Sequence, residues 1–310
     1  MNFKGIIIIL SLFFHIILLG DDIIFSFICD NYFFSKDTFN YIVDNRLFIS
    51  SNNKLYFVEE LNNLEQIDLL NNYKVNFNDY YNIVSTKYGD YKILYKNKYY
   101  VVLEYKEFSL DLYQLIIENK KKVVSSGKID WRDKWINRSE YIMNTYYSYR
   151  NKNKVIDNSI DYYFGLLESS ICYLNGVNYE NVNLYVQHAK MSYFDYFNPF
   201  NIRIDVKERD FSNFLKYIFF DDKYNESFVR SIIEKNINNY DFNLVVARLI
   251  YPDYYFDLFD EYLISSDDKT LDLIKKIVNR VDEYEKYVYM ICNYVKLNIQ
   301  IKNVDYLNLR

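Results

Sequence analysis

The hydrophobic pattern of this chain changes its period once, near Ser109, and that change limits the folds open to it. Before Ser109 the texture is that of strands. Arg46-Leu47-Phe48-Ile49-Ser50 and Lys54-Leu55-Tyr56-Phe57-Val58 flank Ser51-Asn52-Asn53, a run with the residue types of a hairpin turn. Leu61, Leu64, Ile67 and either Leu69 or Leu70 recur at helical spacing and predict one short helix. Tyr81 to Thr86, Tyr91 to Tyr95 and Tyr99 to Glu104 then read as strands, the last two joined by Lys96-Asn97-Lys98. This order predicts a small antiparallel sheet with one packed helix.

Past Ser109 the pattern is helical. Leu110, Leu112, Leu115 and Ile116 begin one helix, and longer ones are expected over Trp131 to Tyr149 and Asp157 to Leu174. In the latter, Tyr162, Leu166, Ser169, Ile171 and Tyr173 are assigned to the inner face. A strand pair, Asn183 to Gln187 and Asn201 to Asp205, interrupts the series. Helices resume at Phe211 to Phe220, Glu226 to Asn236, Phe242 to Leu263 and Lys269 to Val295. In the last, Ile274, Ile277, Val281, Tyr284, Val288, Ile291 and Val295 form a core-facing stripe. The expected fold class is α+β: a β-rich N-lobe over residues 31–105 and a helical C-lobe over 106–310, linked through Tyr105-Lys106-Glu107-Phe108.

Composition removes several functions. Thirty-seven basic and 42 acidic side chains leave a net charge of −5, which gives no general attraction to a phosphate backbone, so no nucleic-acid partner is expected. Cys29, Cys172 and Cys292 form no CxxC pair and are read as buried, reduced thiols. The only histidines, His15 and His188, exclude a His-rich metal site. The 36 Tyr and 24 Phe beside six Gly and two Pro look like translation of AT-rich codons. Residues 1–30 contain the apolar run Ile6 to Leu19, which is read as a signal anchor, a buried element of the fold, or an ill-chosen translation start. Membrane association through that run therefore stays open beside a cytoplasmic placement.

Three segments of the helical part resemble a known family. They are Trp131-Arg132-Asp133-Lys134-Trp135 with Arg138 and Asp161 to Glu168; Asn198 to Asp205 with Arg209-Asp210-Phe211; and Ala247 to Asp257. Their order and spacing are similar to those of the spore-coat kinase-like proteins of the YutH and CotS type, a branch of the aminoglycoside-phosphotransferase superfamily. The resemblance covers residues from about 100 onward and is weak before that. It implies a two-lobed, protein-kinase-like fold and a role in spore-coat or cell-envelope assembly with a protein partner.

Phosphoryl transfer needs a phosphate-covering loop, a lysine on the phosphates, a carboxylate that orients the acceptor and another that holds magnesium. The six glycines are too dispersed to write a G-x-G-x-x-G or Walker A loop, since no two lie within ten residues. Strand Leu55 to Val58 ends in Glu59-Glu60, acids where the lysine is wanted, with Lys54 or Lys98 as substitutes. The superfamily's His-Gly-Asp corresponds here to His188, Ala189 and Lys190, and its later Asn to Asp195. An ammonium cannot accept the acceptor's proton. Asp205 stands at the magnesium-binding position, with a turn aspartate as the plainer reading. Asp210 matches the family's structural aspartate, and His188 is read as packed against it. Asp221-Asp222 and Asp267-Asp268 are read as helix caps.

These residues lead to a kinase-like pseudoenzyme with a binding or scaffolding role, no expected catalytic residue and no expected cofactor. Two alternatives stand. One is an active small-molecule kinase using ATP and magnesium through Asp205 and Asp195. The other is a membrane-anchored interaction protein of unrelated α+β fold.

Overall fold

A computed structural model describes residues 22–35, 37–43, 46–61, 80–107, 112–117, 123–177, 180–221 and 225–304. The chain forms two compact units: Met1–Ser109 with Phe197–Phe200, and Leu110–Tyr196 with Asn201–Arg310. The first carries an antiparallel sheet and the second is mainly helical, so the fold class is α+β. The return of Phe197–Phe200 to the first unit has no local signature in the sequence.

In the first unit β1 (Phe39–Val43), β2 (Arg46–Ser51), β3 (Lys54–Leu61), β6 (Lys98–Glu104) and β4 (Asn82–Ile83) lie side by side, and β5 (Lys92–Tyr95) also pairs with β6. Two asparagine-containing turns set the register. Asn52 and Asn53 have φ of 52° and 59°, and Lys96 and Asn97 have 47° and 62°. Two consecutive positive φ values give a turn whose twist matches that of the flanking strands, and Asn tolerates that region better than most residues. The pairs Ser51↔Lys54 and Tyr95↔Lys98 follow. Helix α1 (Asp22–Asn31) was not expected from the sequence, nor was β1. With the turn after it, α1 brings Ile28 and Tyr32 onto Leu47, Ile49, Val58, Ile93 and Val102 to make this unit's core.

The strand expected over Tyr81 to Thr86 is only two residues long. The Thr86 hydroxyl accepts from the backbone N–H groups of Tyr88 and Asp90, turning the chain. Leu61 ends β3, and the rest of the helix expected with Leu64, Ile67 and Leu69 or Leu70 lies outside the described residues, as does Ile6 to Leu19. Among the described residues no helix is long and apolar enough to cross a membrane.

The second unit opens with α2 (Leu112–Ile117) and β7 (Val123–Gly127), followed by α3 (Trp131–Tyr149) and α4 (Lys154–Tyr173). The strands β8 (Val182–His188) and β9 (Ile202–Asp205) are joined by β7 into a three-stranded antiparallel sheet, where only a pair was expected. Short α5 (Tyr193–Tyr196) lies between them, and α6 (Glu208–Phe220) and α7 (Glu226–Asn236) follow. The expected helix Phe242 to Leu263 is two helices, α8 (Phe242–Ile250) and α9 (Asp253–Ser265). Pro252 lacks the amide a continuous helix needs, and it holds Tyr251 extended at ψ 119°. The expected Lys269 to Val295 helix also divides, into α10 (Asp268–Asn279) and α11 (Val281–Lys296), at Arg280. Arg280 leaves helical geometry there at φ −104° and ψ 10°, and its side chain donates to the Phe219 carbonyl and lies over that ring at 4.4 Å.

The buried face of α4 is centred on Ile156, Ile160, Tyr163, Leu167 and Ser170, so Tyr162, Ser169 and Ile171 are only half-buried. Cys292 is buried and its thiol is pushed up to about 12 by that burial, whereas Cys172 is exposed, against the expectation. Asp267 caps α10 by accepting from the Thr270 N–H, but Asp221 sits at the C-terminal end of α6, where it cannot act as the expected N-cap. The turn geometry gives a direct test. Asn53→Gly should leave thermal stability unchanged, whereas Asn53→Val should cost about 1–2 kcal/mol in denaturant unfolding, because a β-branched residue resists positive φ.

Candidate functional site

Strand β8 delivers His188 to the N-terminal turn of α6. The His188 backbone N–H donates to Asp210 Oδ1 at 2.7 Å, and Nδ1 meets Asp210 Oδ2 at 2.7 Å. The Asp210 N–H in turn donates to Gln187 Oε1 at 3.0 Å. Both members of the His–Asp pair are buried, and the Tyr196 ring covers the imidazole at 4.2 Å between centroids.

The loop after His188 is clamped by Asn201. Its side-chain amide donates to the Lys190 and Asp195 carbonyls and accepts from the Lys190 N–H, all within 2.9 Å. The Ala189 N–H donates to the Asn201 carbonyl at 2.7 Å. This fastening turns the Lys190 side chain out to solvent. Asp195 accepts from the Ser192 hydroxyl at 2.7 Å at the start of α5.

Asp205 ends β9 and is buried. Its Oδ2 accepts from the Trp131 indole at 2.8 Å and from Arg209 Nη1 at 2.9 Å, and its Oδ1 accepts from the Val206 N–H at 2.8 Å. Arg209 Nε also donates to the His188 carbonyl. A carboxylate already paired with a guanidinium and two N–H donors does not suit magnesium, which asks for oxygens directed at the ion and for negative charge left over. In the first unit, Lys98 pairs with Glu60 at 2.9 Å and Lys54 with Glu104 at 2.6 Å. Neither candidate lysine is unengaged.

A second constellation lies beside this loop. Asp253, the first residue of α9, accepts from Lys216 of α6 at 2.6 Å and from Arg248 of α8 at 3.0 Å. Lys216 also donates to the Tyr251 carbonyl at 2.7 Å, and Arg248 to Asn213 Oδ1 at 3.0 Å. Arg248 further rests over the Trp131 ring at 5.1 Å, and Trp131, Trp135 and Tyr251 stack in a column. Burial pulls Lys216 down to about 8, even against the pull of Asp253. Burial likewise acts to raise Asp253, but the charges of Lys216 and Arg248 outweigh it and hold the carboxyl below its ordinary value. Asp257, one turn along α9, is pushed up to about 6 by desolvation and then by Asp253, although part of the side chain reaches solvent.

These groups line a cleft of about 790 Å³ that lies wholly within the helical unit. Its lining includes Ala189 and Lys190 of the loop, Lys216 and Phe220 of α6, Asp253, Tyr254 and Asp257 of α9, and Lys276 and Arg280 at the end of α10. Reading the sequence for transfer chemistry singled out neither Lys216 nor the Arg248–Asp253 pair. The signal was present: a single charge inside Phe-Leu-Lys-Tyr-Ile-Phe-Phe and another inside the apolar Leu-Val-Val-Ala-Arg-Leu-Ile mark buried charges in need of a partner.

No protein-family model matches the chain, and no curated protein matches it. Among solved structures it is similar to the AMP-bound complex of spectinomycin phosphotransferase, with a TM-score of 0.54 at 11% identity, covering 89% of this chain and 98% of that one. An aminoglycoside phosphotransferase from Alicyclobacillus acidocaldarius gives 0.48 at 10% identity, covering 91% and 98%. The first of these shows that the chain has a kinase-like phosphotransferase fold. It shows the fold alone.

Two outcomes follow from the buried charges. Asp253→Ala leaves Lys216 and Arg248 facing each other without a counter-charge and should cost about 3–5 kcal/mol in denaturant unfolding. Asp257 binds its proton more tightly folded than unfolded, so its ionisation opposes folding as pH rises from about 4 through 6. Asp257→Asn should therefore melt higher than the parent above pH 6, with the difference vanishing near pH 4 when melting is followed by circular dichroism.

Proposed function

We propose that this protein is a kinase-like pseudoenzyme that acts by binding. The observation that carries the reading is the loop after His188. Its brace through Asp210 and its clamp through Asn201 are intact, while the exposed side chain that loop presents is the ammonium of Lys190. By the family resemblance, that position belongs to the carboxylate that orients an acceptor hydroxyl. Asp205 supports the same reading, because Arg209 and Trp131 occupy the oxygen a metal would need.

The segments Trp131 to Trp135, Asn198 to Asp205 and Ala247 to Asp257 support a role like that of the spore-coat kinase-like proteins they resemble. That implies a cytoplasmic protein with a protein partner in coat or envelope assembly. The resemblance supports those particulars, and the geometry supports the loss of transfer chemistry.

The test is turnover. Purified protein incubated with magnesium and ATP should yield no phosphorylated product by mass spectrometry, with or without aminoglycoside acceptors. Lys190→Asp should not create activity either, since Asp205 remains paired with Arg209. Sustained ATP-dependent phosphorylation of any acceptor by the parent protein would overturn the proposal and establish an active kinase with atypical residues.

A further inference from the structure

The cleft in the helical unit is lopsided in charge. On its floor one carboxylate, Asp253, is shared by two buried cations, Lys216 and Arg248, so that cluster carries one positive charge in excess. Lys190 on the loop and Lys276 on α10 line the same space and are exposed. The charge of Lys190 acts on Asp257, which lines the same cleft. Arg280 is engaged by Glu283 at 3.2 Å and by the Phe219 carbonyl. Asp257 is the one carboxylate left on the other side of the balance. A polycationic acceptor would meet repulsion here.

Apolar surface accompanies the charge. Tyr254 and Phe220 pack ring to ring at 4.7 Å on the wall, and Leu273 and Ile277 continue it along α10. The volume of about 790 Å³ holds a small organic body together with a charged group. Ammonium groups are compact point charges that favour concentrated negative charge, such as a phosphate dianion, over a diffuse one.

We propose that this cleft binds a small phosphomonoester, its phosphate held between Lys190 and Lys276 and its apolar or aromatic body against Tyr254, Phe220 and Ile277. The inference deepens the binding role proposed above and rests on it in one respect, that Lys190 holds a ligand and does not react with one. Where transfer chemistry places a carboxylate, the ammonium turns repulsion of a phosphate ester into attraction. The site thus recognises the class of compound that a kinase would release.

Phenyl phosphate is the probe, titrated calorimetrically into the full chain at low ionic strength beside phenol, benzylamine and inorganic phosphate. Phenyl phosphate should bind saturably, more tightly than each of the other three, and should weaken as salt is added. Lys190→Ala and Lys276→Ala should each weaken it by about tenfold, the order expected for one charge-assisted contact. Lys276 is exposed on α10 and its loss does not threaten folding, so that variant stays informative even if Lys190→Ala unfolds.

Several results overturn the inference: no saturable binding, equal or tighter binding of benzylamine or phenol, affinity unchanged in a folded Lys276→Ala protein, or inorganic phosphate matching the ester. Magnesium and ATP supplied to the same preparations separate the two proposals. A phosphorylated product sinks the inert reading, whereas failed phenyl phosphate binding without turnover sinks only the ligand assignment.

Discussion

The helical unit is organised around a single carboxylate. Asp253 stands at the first position of α9 and holds Lys216 of α6 and Arg248 of α8. Burying two cations is tolerable only beside a counter-charge, and further hydrogen bonds must meet their remaining protons. Tyr251 and Asn213 meet part of that need through a carbonyl oxygen and a side-chain amide oxygen, while Arg248 Nε is buried without a hydrogen-bond partner. Three helices are thereby fixed at one point, which also forms the floor of the cleft. A carboxylate at a helix N-terminus is further favoured by the helix dipole, so charge and backbone agree about where Asp253 belongs.

The same economy governs the loop beside it. Asp210 satisfies two donors of His188, and Asn201 satisfies three backbone groups across the loop. Such a network, anchored through backbone groups, keeps the loop's geometry whatever side chain the loop presents. The scaffold of a transfer site can therefore persist while the charge displayed on it changes sign. Under the binding role proposed above, loss of chemistry at Lys190 and retention of shape at His188 would not conflict, because different atoms carry them.

Much of this was legible locally. The hairpin turns came from asparagine-bearing runs at Asn52-Asn53 and Lys96-Asn97, and α3 and α7 from apolar spacing, with both ends of each agreeing with the structure. The longer helical runs were misread where periodicity continued across a break. At Pro252 the break has a covalent cause visible in the sequence, the missing amide of the ring nitrogen. At Arg280 no proline or glycine marks the break, and the partner that its side chain meets there, Phe219, lies some sixty residues away in the chain. Strand β7 shows the same limit, since its pairing with β8 spans a gap filled by two long helices.

What the sequence determined by itself is the class of each local element and the identity of the groups on the loop after His188. Period, turn residues and side-chain charge are properties of neighbours along the chain, so an ammonium at position 190 is a fact before any folding. Only the tertiary structure decided that Asp205 is consumed by Arg209 and Trp131, and that Lys190, Lys216, Asp253, Asp257 and Lys276 share one cleft. The groups that share the cleft come from three separate helices and a loop. Their joint field depends on distance through space, a quantity that sequence separation does not encode.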